Sequence, residues 1–407
     1  MRGHALEKLR NAAEIYDGNP LALRLFANLV TRELGDPAEL LNPRGAAPVL
    51  DRLAGESIKD LSPELVMAMQ VLAVLRQPLP REALDAAGLD LRTHIQPLKD
   101  RLMVQTRPQG FVLAPLFRAY VLDRLDVEQQ RGLHQRAAAM WQRRTIDRKN
   151  WQSLEAIQPS LEQAFHLGQA GCWSDAALVL VIAARHLLRL GYIDIAARET
   201  AAILPHIASS DVKARLMLIM GQVADWQGEY DDASSHFEQA LVQQSGTAQT
   251  RSEALYRLGR VCGARNEFVK ATRLLEEAVQ TAVEPEALWV QARALMSLAW
   301  MERESGLNDQ KALARFRDAL KAAQLARDTR TQSEAHRQIG FMLWDVFDDT
   351  PAAKAHYGEA LKLGPLHNET KEITAVHTDL AFLCAEWGEL LLAEEHARAA
   401  IELCQRS

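Results

Sequence analysis

Small residues recur at fixed spacing five times between residues 214 and 407, and this recurrence limits the possible folds more than any other feature of the sequence. The first column holds Gly221, Gly259, Ala299, Gly340 and Ala381. The second column holds Ala233, Ala271, Ala312, Ala353 and Ala393. The third column, seven residues later, holds Ala240, Ala278, Ala319, Ala360 and Ala400. Because apolar residues accompany each column at helical spacing, the pattern predicts five pairs of closely packed helices.

The repeated unit resembles the tetratricopeptide (TPR) repeat, a helix pair that stacks on copies of itself. Units start near residues 214, 252, 292, 333 and 374, so the period is 38 to 41 residues. A TPR has a period of about 34 residues, and the excess lies mainly between units. The resemblance implies a TPR-like α-solenoid of five repeats over residues 214–407. Residues 151–213 show the same alanine spacing at Ala176 and Ala183, which predicts degenerate leading TPR-like helices.

The composition favours a mainly helical protein without a membrane span. Of the 407 residues, 48% are hydrophobic and 6% aromatic, and a net charge of −6 does not indicate a polyanion-binding surface. The longest apolar run, residues 176–184, is too short for a bilayer. The first residues lack the pattern of a signal peptide, and the four cysteines form no CxxC pair. We therefore expect a cytoplasmic protein with reduced thiols, no metal site and no membrane contact.

The first residues carry a second resemblance. The sequence GNPLAL at residues 18–23 is similar to the GxPLAL motif of STAND and NB-ARC signalling ATPases, which switch between ADP-bound and ATP-bound states. In that family the motif opens a helical domain after the ATPase core, and its proline contacts the adenine. The resemblance implies a GxP helical domain over residues 1–54. It also implies an adenine contact by Pro20, but only where an ATPase core is present.

Residues 55–125 predict a winged-helix domain, which STAND proteins place directly after the GxP domain. Three helices are predicted, of which the first begins at Ser62-Pro63 and the others span residues 81–87 and 91–102. A short β-hairpin follows, because residues 103–106 and 110–113 alternate between apolar and polar side chains.

Residues 126–150 are basic and amphipathic, and they predict a solvated linker helix. The expected fold class is therefore mainly α. It comprises a helical GxP domain plus a winged helix, followed by the TPR-like α-solenoid.

The sequence departs from the STAND pattern where the nucleotide would bind. No GxxxxGK[ST] loop occurs in the 407 residues, although the amides and lysine of that loop hold the nucleotide phosphates. Ala114 stands where the family usually has a histidine that contacts the β-phosphate of ADP, and a methyl group cannot donate a hydrogen bond. We therefore expect neither an enzyme nor a bound cofactor in this chain. ATP or ADP would bind only in a longer protein with an ATPase core upstream.

The first helices of TPR proteins line a concave groove, and this chain has candidate binding residues at those positions. They are Trp226, Tyr256, Arg260, Met296, Trp300, Arg303, Arg337, Phe341, Trp344 and Phe382. Trp, Tyr and Arg dominate the binding energy of protein interfaces, so the positions predict a protein-binding site. The alternative is that the aromatic side chains only pack between repeats. Glu302 falls at a usually apolar position, which leaves the register of the third repeat open to a shift of one residue.

Taken together, these features predict the sensor and scaffold region of a STAND-type signal-transduction regulator that binds a protein or peptide in its TPR groove. Two alternatives are a TPR-containing transcription regulator whose winged helix contacts DNA, and a plain TPR adaptor. Residues 57–125 carry nine basic and seven acidic residues, a weaker bias than DNA-binding domains show, so DNA is the less favoured partner. Apolar residues near the end of the sequence, Leu390, Ile401 and Leu403, predict self-association.

Overall fold

The computed structural model of the chain describes residues 23–24, 26–27, 46–208, 210–243, 246–305, 308–364 and 370–406. The predicted GxP motif lies mostly outside these residues, and Pro20 is among those not described. The chain divides into two compact units, Met1–Ile195 and Ala196–Ser407. No helix among the described residues is both long enough and apolar enough to cross a membrane.

Helices make up most of the described part of the first unit. They are α1 (Ala46–Lys59), α2 (Pro63–Val74), α3 (Gln96–Asp100), α4 (Pro115–Arg124), α5 (Val127–Arg143), α6 (Leu154–Gln169) and α7 (Trp173–Arg189). The next helix, α8 (Ile193–Ile203), contains the boundary between the units. Ser62 accepts a hydrogen bond from the Leu65 backbone and so caps α2, and Pro63 occupies its first turn as predicted.

The other two helices predicted between residues 81 and 102 are shorter than expected. Residues 81–87 form two 3₁₀ turns that end at Gly88, whose φ of 71° only glycine adopts without strain. Residues 91–95 form a π-helical turn that leads into α3. Tertiary packing outweighs helical propensity over such short segments, since an isolated turn has little stability of its own.

A two-stranded antiparallel sheet lies at the place of the predicted hairpin. Strand β1 (Val104–Arg107) pairs with β2 (Gly110–Leu113), so that Val104 faces Leu113. The backbone of Leu79 exchanges hydrogen bonds of 2.8 Å with that of Phe111 and extends the sheet by one bridge. Gly110 has a φ of 142°, and a Cβ there would overlap the Leu79 carbonyl, so glycine is required.

The predicted linker is part of the core and is not a solvated helix. Helix α5 begins at a capping box, in which Asp126 and Gln129 each accept a hydrogen bond from the other's backbone N–H. Its residues Leu133 and Trp141 are buried in the same hydrophobic cluster as Met69 of α2. The basic residues between positions 143 and 149 lie at and beyond the C-terminal end of α5, so their charge does not describe the buried face of the helix.

The second unit contains five antiparallel helix pairs that coincide with the five recurrences of the small-residue columns. The pairs are α9 (Asp211–Gln227) with α10 (Tyr230–Val242), α11 (Ala248–Ala264) with α12 (Phe268–Thr281), α13 (Leu288–Ser305) with α14 (Asp309–Leu325), α15 (Thr329–Asp345) with α16 (Thr350–Leu363), and α17 (Thr370–Glu386) with α18 (Leu390–Arg406). One cluster of buried residues runs from α9 to α13 and another from α13 to α18. The predicted fold class, a mainly α protein with a TPR-like solenoid, is confirmed.

The small columns lie where the two helices of a pair approach most closely. A Cβ on Gly221 would overlap the buried ring of Phe237, and one on Gly259 would lie 2.8 Å from Leu275. The alanines of the second and third columns are at most 9% exposed. Larger side chains in these columns would separate the helices, which explains why the columns hold only Gly and Ala.

Candidate functional site

The ten predicted binding residues differ widely in exposure, and the structure removes two of them from the candidate site. Tyr256 is 7% exposed and Met296 is 4% exposed, because both pack into the core between repeats. Trp226 and Phe382, by contrast, are 65% and 62% exposed. Arg260 is exposed and lies beside the Tyr256 phenol. The phenol and nearby carboxylates raise the pKa of the Arg260 guanidinium.

Four of the predicted residues form one cluster on consecutive first helices. The Arg303 guanidinium lies 5.0 Å from the centre of the Trp300 ring and 4.3 Å from that of Phe341. The Phe341 ring meets Trp344 edge-on at 5.7 Å between centroids. All four side chains are half-buried. We call Trp300, Arg303, Phe341 and Trp344 the aromatic–arginine cluster.

Neighbouring elements hold the cluster at both ends. The indole N–H of Trp344 donates a hydrogen bond of 2.9 Å to Glu386 of α17. Trp300 lies edge-on to the buried Phe316 ring of α14, at 6.3 Å between centroids. The cluster therefore combines packing between repeats with exposed aromatic surface, so the two interpretations of these residues are not exclusive.

Arg337, another predicted binding residue, forms ion pairs with a neighbouring helix. Its guanidinium donates to Glu372 at 3.0 Å and to Asp379 at 2.9 Å. Burial raises the pKa of Asp379, while the nearby guanidinium opposes the shift. Because two carboxylates of α17 already engage Arg337, this residue joins two repeats and offers little charge to a ligand.

Arg303 is different, because its contacts are with aromatic rings. Within the described part of the chain, no carboxylate forms an ion pair with its guanidinium. The guanidinium carries five N–H donors in a planar fork that matches a carboxylate. The Trp300 and Phe341 rings flank this fork.

A buried phenol belongs to the same region. Tyr357 of α16 is fully buried, and its hydroxyl has no hydrogen-bond partner among the described residues. Burial raises the pKa of Tyr357, and the carboxylate of Asp379 adds to the shift, so the hydroxyl keeps its proton. The sequence analysis did not predict a role for Tyr357 or Glu386, because neither residue occupies one of the predicted groove positions.

Ion pairs explain why the charged residue Glu302 occupies a usually apolar position of the third repeat. Its carboxylate lies 2.6 Å from Lys311 and 2.9 Å from Arg315, both on α14. The corresponding residues in neighbouring repeats, Cys262 and Leu343, are buried. The register therefore needs no shift, since cations of the partner helix compensate the carboxylate at this position.

No group of three or more His, Cys, Asp or Glu side chains that could hold a metal ion occurs among the described residues. The four cysteines are free thiols.

Comparison with known proteins identifies the fold. No protein-family model and no curated protein matches the chain. Its structure is similar to that of a STAND protein with a tetratricopeptide repeat sensor from Pyrococcus horikoshii, with a TM-score of 0.67 and 11% identity over 95% of this chain. It is also similar to the apo form of the quorum sensor NprR from Bacillus thuringiensis, with a TM-score of 0.51 and 13% identity over 99% of both chains. The chain spans 59% of the STAND protein's length. The fold is therefore the TPR-type helical solenoid of these proteins.

Proposed function

We propose that this chain is a scaffold that binds a peptide or protein segment, and that the aromatic–arginine cluster is the binding surface. The observation that carries the proposal is the stacking of Arg303 between Trp300 and Phe341 beside Trp344. Large aromatic side chains and arginine lose little conformational entropy when they are already held in place. A fixed, half-exposed group of this kind suits recognition of an extended segment.

The chemistry of the cluster selects the ligand. Its rings favour apolar side chains, and the Arg303 fork favours one carboxylate. The surrounding region is acidic, with 13 acidic and 6 basic residues from position 333 to 407. A strongly acidic ligand would therefore be repelled. We expect a segment with apolar anchors and a single carboxylate close to them.

The finer proposal is that the scaffold is the sensor region of a STAND-type regulator. Two observations support it: the GxPLAL-like sequence at residues 18–23, and the similarity of fold to a STAND protein whose TPR region is described as a sensor. In such a protein the first unit would transmit ligand binding to an ATPase core. A core expressed separately should then associate with this chain in a nucleotide-dependent manner.

The binding proposal is tested with a displayed library of random peptides selected on the full chain. Selected peptides are titrated by intrinsic tryptophan fluorescence and calorimetry. Trp344→Ala should weaken binding about thirtyfold, because removing a hot-spot side chain costs about 2 kcal/mol. Arg303→Lys keeps the positive charge but loses the stacked guanidinium fork. This variant should weaken the binding only of peptides that contain a carboxylate.

The matched control is an exposed tryptophan that is not among the predicted binding residues. Trp387 is 55% exposed, and Trp387→Ala should leave affinity within about twofold of the wild type. Melting temperatures are compared throughout, since Trp300→Ala also removes the contact with Phe316. Normal affinity of the Trp344→Ala variant, or loss only through unfolding, would show that the cluster serves packing alone.

A further inference from the structure

Two neighbouring helix pairs each join their helices through two histidines. His336 of α15 and His356 of α16 bring their Nδ1 atoms to 2.9 Å, and their ring centroids are 5.1 Å apart. His377 of α17 and His396 of α18 have Nδ1 atoms 3.0 Å apart and centroids 5.2 Å apart. The ring planes are tilted by 43° and 42°, so the two arrangements are nearly identical. We call these the histidine pairs.

The histidine pairs occupy the same columns of the repeat. In each pair, the histidine of the first helix lies four residues before the residue of the first small column. The histidine of the second helix lies three residues after the alanine of the second column. In the repeat formed by α11 and α12, these columns hold the buried residues Leu255 and Leu274. The fold therefore does not require imidazole at these positions, and apolar side chains fill them equally well.

Each histidine pair responds to protons in two steps. When both rings are neutral, one Nδ1–H donates to the other ring's Nδ1 lone pair. One added proton leaves this hydrogen bond intact, because an imidazolium is also a donor. A second proton removes the acceptor, so that two donors and two positive charges face each other about 5 Å apart.

The surroundings favour the neutral rings. Burial lowers the pKa of all four histidines. The charged groups near the first pair are Arg317 of α14, which lowers the pKa of His356, and Glu359 of α16, which opposes the shift and is itself paired with Lys362. Glu395 of α18 is the charged residue that faces the second pair, and it opposes the shift of His396.

We propose that the histidine pairs are proton-responsive contacts, which hold α15 to α16 and α17 to α18 at neutral pH and release them in mild acid. The same first helices carry Phe341, Trp344 and Phe382. Opening of these two repeats would therefore also change the surface on which those residues lie.

The direction of the pH effect follows from linkage. A histidine whose pKa is lowered in the folded state takes up a proton when the repeat opens. The stabilisation is therefore fully present above about pH 6.5, the pKa of a free histidine, and is lost as the pH falls towards the folded-state pKa. Between the folded-state pKa and pH 6.5, each proton taken up changes the opening equilibrium by up to about tenfold per pH unit, which sets a limit of about thirtyfold at pH 5.0.

Two half-buried carboxylates in the same helices act in the opposite direction. Burial raises the pKa of Glu334 and of Asp379. Such groups bind protons in the folded state and so stabilise it in acid. A loss of stability in mild acid therefore cannot originate from these carboxylates.

The proposal is tested by hydrogen exchange with mass spectrometry on the full chain at pH 7.5 and 5.0, corrected for intrinsic exchange rates. Protection of α15 to α18 should fall at pH 5.0 relative to that of residues 248–281, which contain no histidine, by up to about thirtyfold for each proton taken up. The variant with His336, His356, His377 and His396 all replaced by Leu should keep its protection at pH 7.5 and lose the pH-dependent decrease. The proposal is overturned if wild-type protection in the two regions changes equally, or if the variant shows the wild-type pH dependence.

A second measurement applies if the fourfold variant does not fold. The single variants His356→Gln and His396→Gln retain a polar side chain that takes up no proton, and each should halve the number of protons taken up by its own pair. Histidine NMR titration of the wild type gives the four pKa values directly, and values at or above 6.5 for all four would overturn the proposal. No ligand takes part in either measurement, so the result is independent of the proposed binding function.

Discussion

At the scale of single residues, an ion pair with a buried carboxylate connects two helices of the first unit. Glu162 of α6 is fully buried, and its carboxylate accepts from the Arg76 guanidinium at 3.1 Å and from Gln158 at 2.6 Å. The Arg76 guanidinium also lies 4.2 Å from the centre of the Phe165 ring. These contacts join the end of α2 to α6 across 86 positions of sequence. A carboxylate without water depends strongly on such partners.

Glu162→Ala should therefore destabilise the first unit by about 3 kcal/mol, because Arg76 loses its buried counter-charge. The matched control is Glu277→Ala, which removes an exposed ion pair with Arg251 and should cost less than about 1 kcal/mol. Native-state hydrogen exchange of α6 and of α12 measures the two effects separately in the full chain. Equal losses in the two variants would contradict the assigned role of Glu162.

At the scale of helices, the alanine columns set the distance between the two members of a pair. Ala278 of α12 and Ala319 of α14 are completely buried. Leucine at either position should cost about 1–3 kcal/mol, because the added carbons must push the helices apart or force strained rotamers.

The control for this prediction lies in the same helix. Ala314 of α14 is exposed, so Ala314→Leu should change the free energy of unfolding by less than about 0.5 kcal/mol. Urea titration followed by circular dichroism compares this variant with Ala319→Leu. If the two are equally stable, the third column does not mark the contact between helices.

At the scale of the whole molecule, the sequence predicts no nucleotide chemistry for this chain alone. The phosphate-binding loop GxxxxGK[ST] does not occur in the 407 residues, and its backbone amides supply most of the phosphate contacts in ATPases that use it. We expect no ATP turnover and no nucleotide affinity in the micromolar range. Calorimetry and a phosphate-release assay on repurified protein test this, and turnover that persists through repurification would refute it.

Much of the fold follows from local sequence alone. The pairs α9–α10 to α17–α18 were predictable because the spacing of small residues within about 30 positions reports the contact between adjacent helices directly. The turns at residues 81–87 and the packing of α5 were not, since their structure depends on contacts with distant elements.

The candidate site was predictable only in part, for the same physical reason. The sequence determined which residues lie on the first helices, because helical periodicity assigns each residue to a face. Only the tertiary structure decided what those side chains contact. Arg337 pairs with Glu372 and Asp379, which lie 35 and 42 positions away, whereas Arg303 stacks on two rings. Such partners depend on the rotation between stacked repeats, a quantity that the spacing of residues along the chain does not contain.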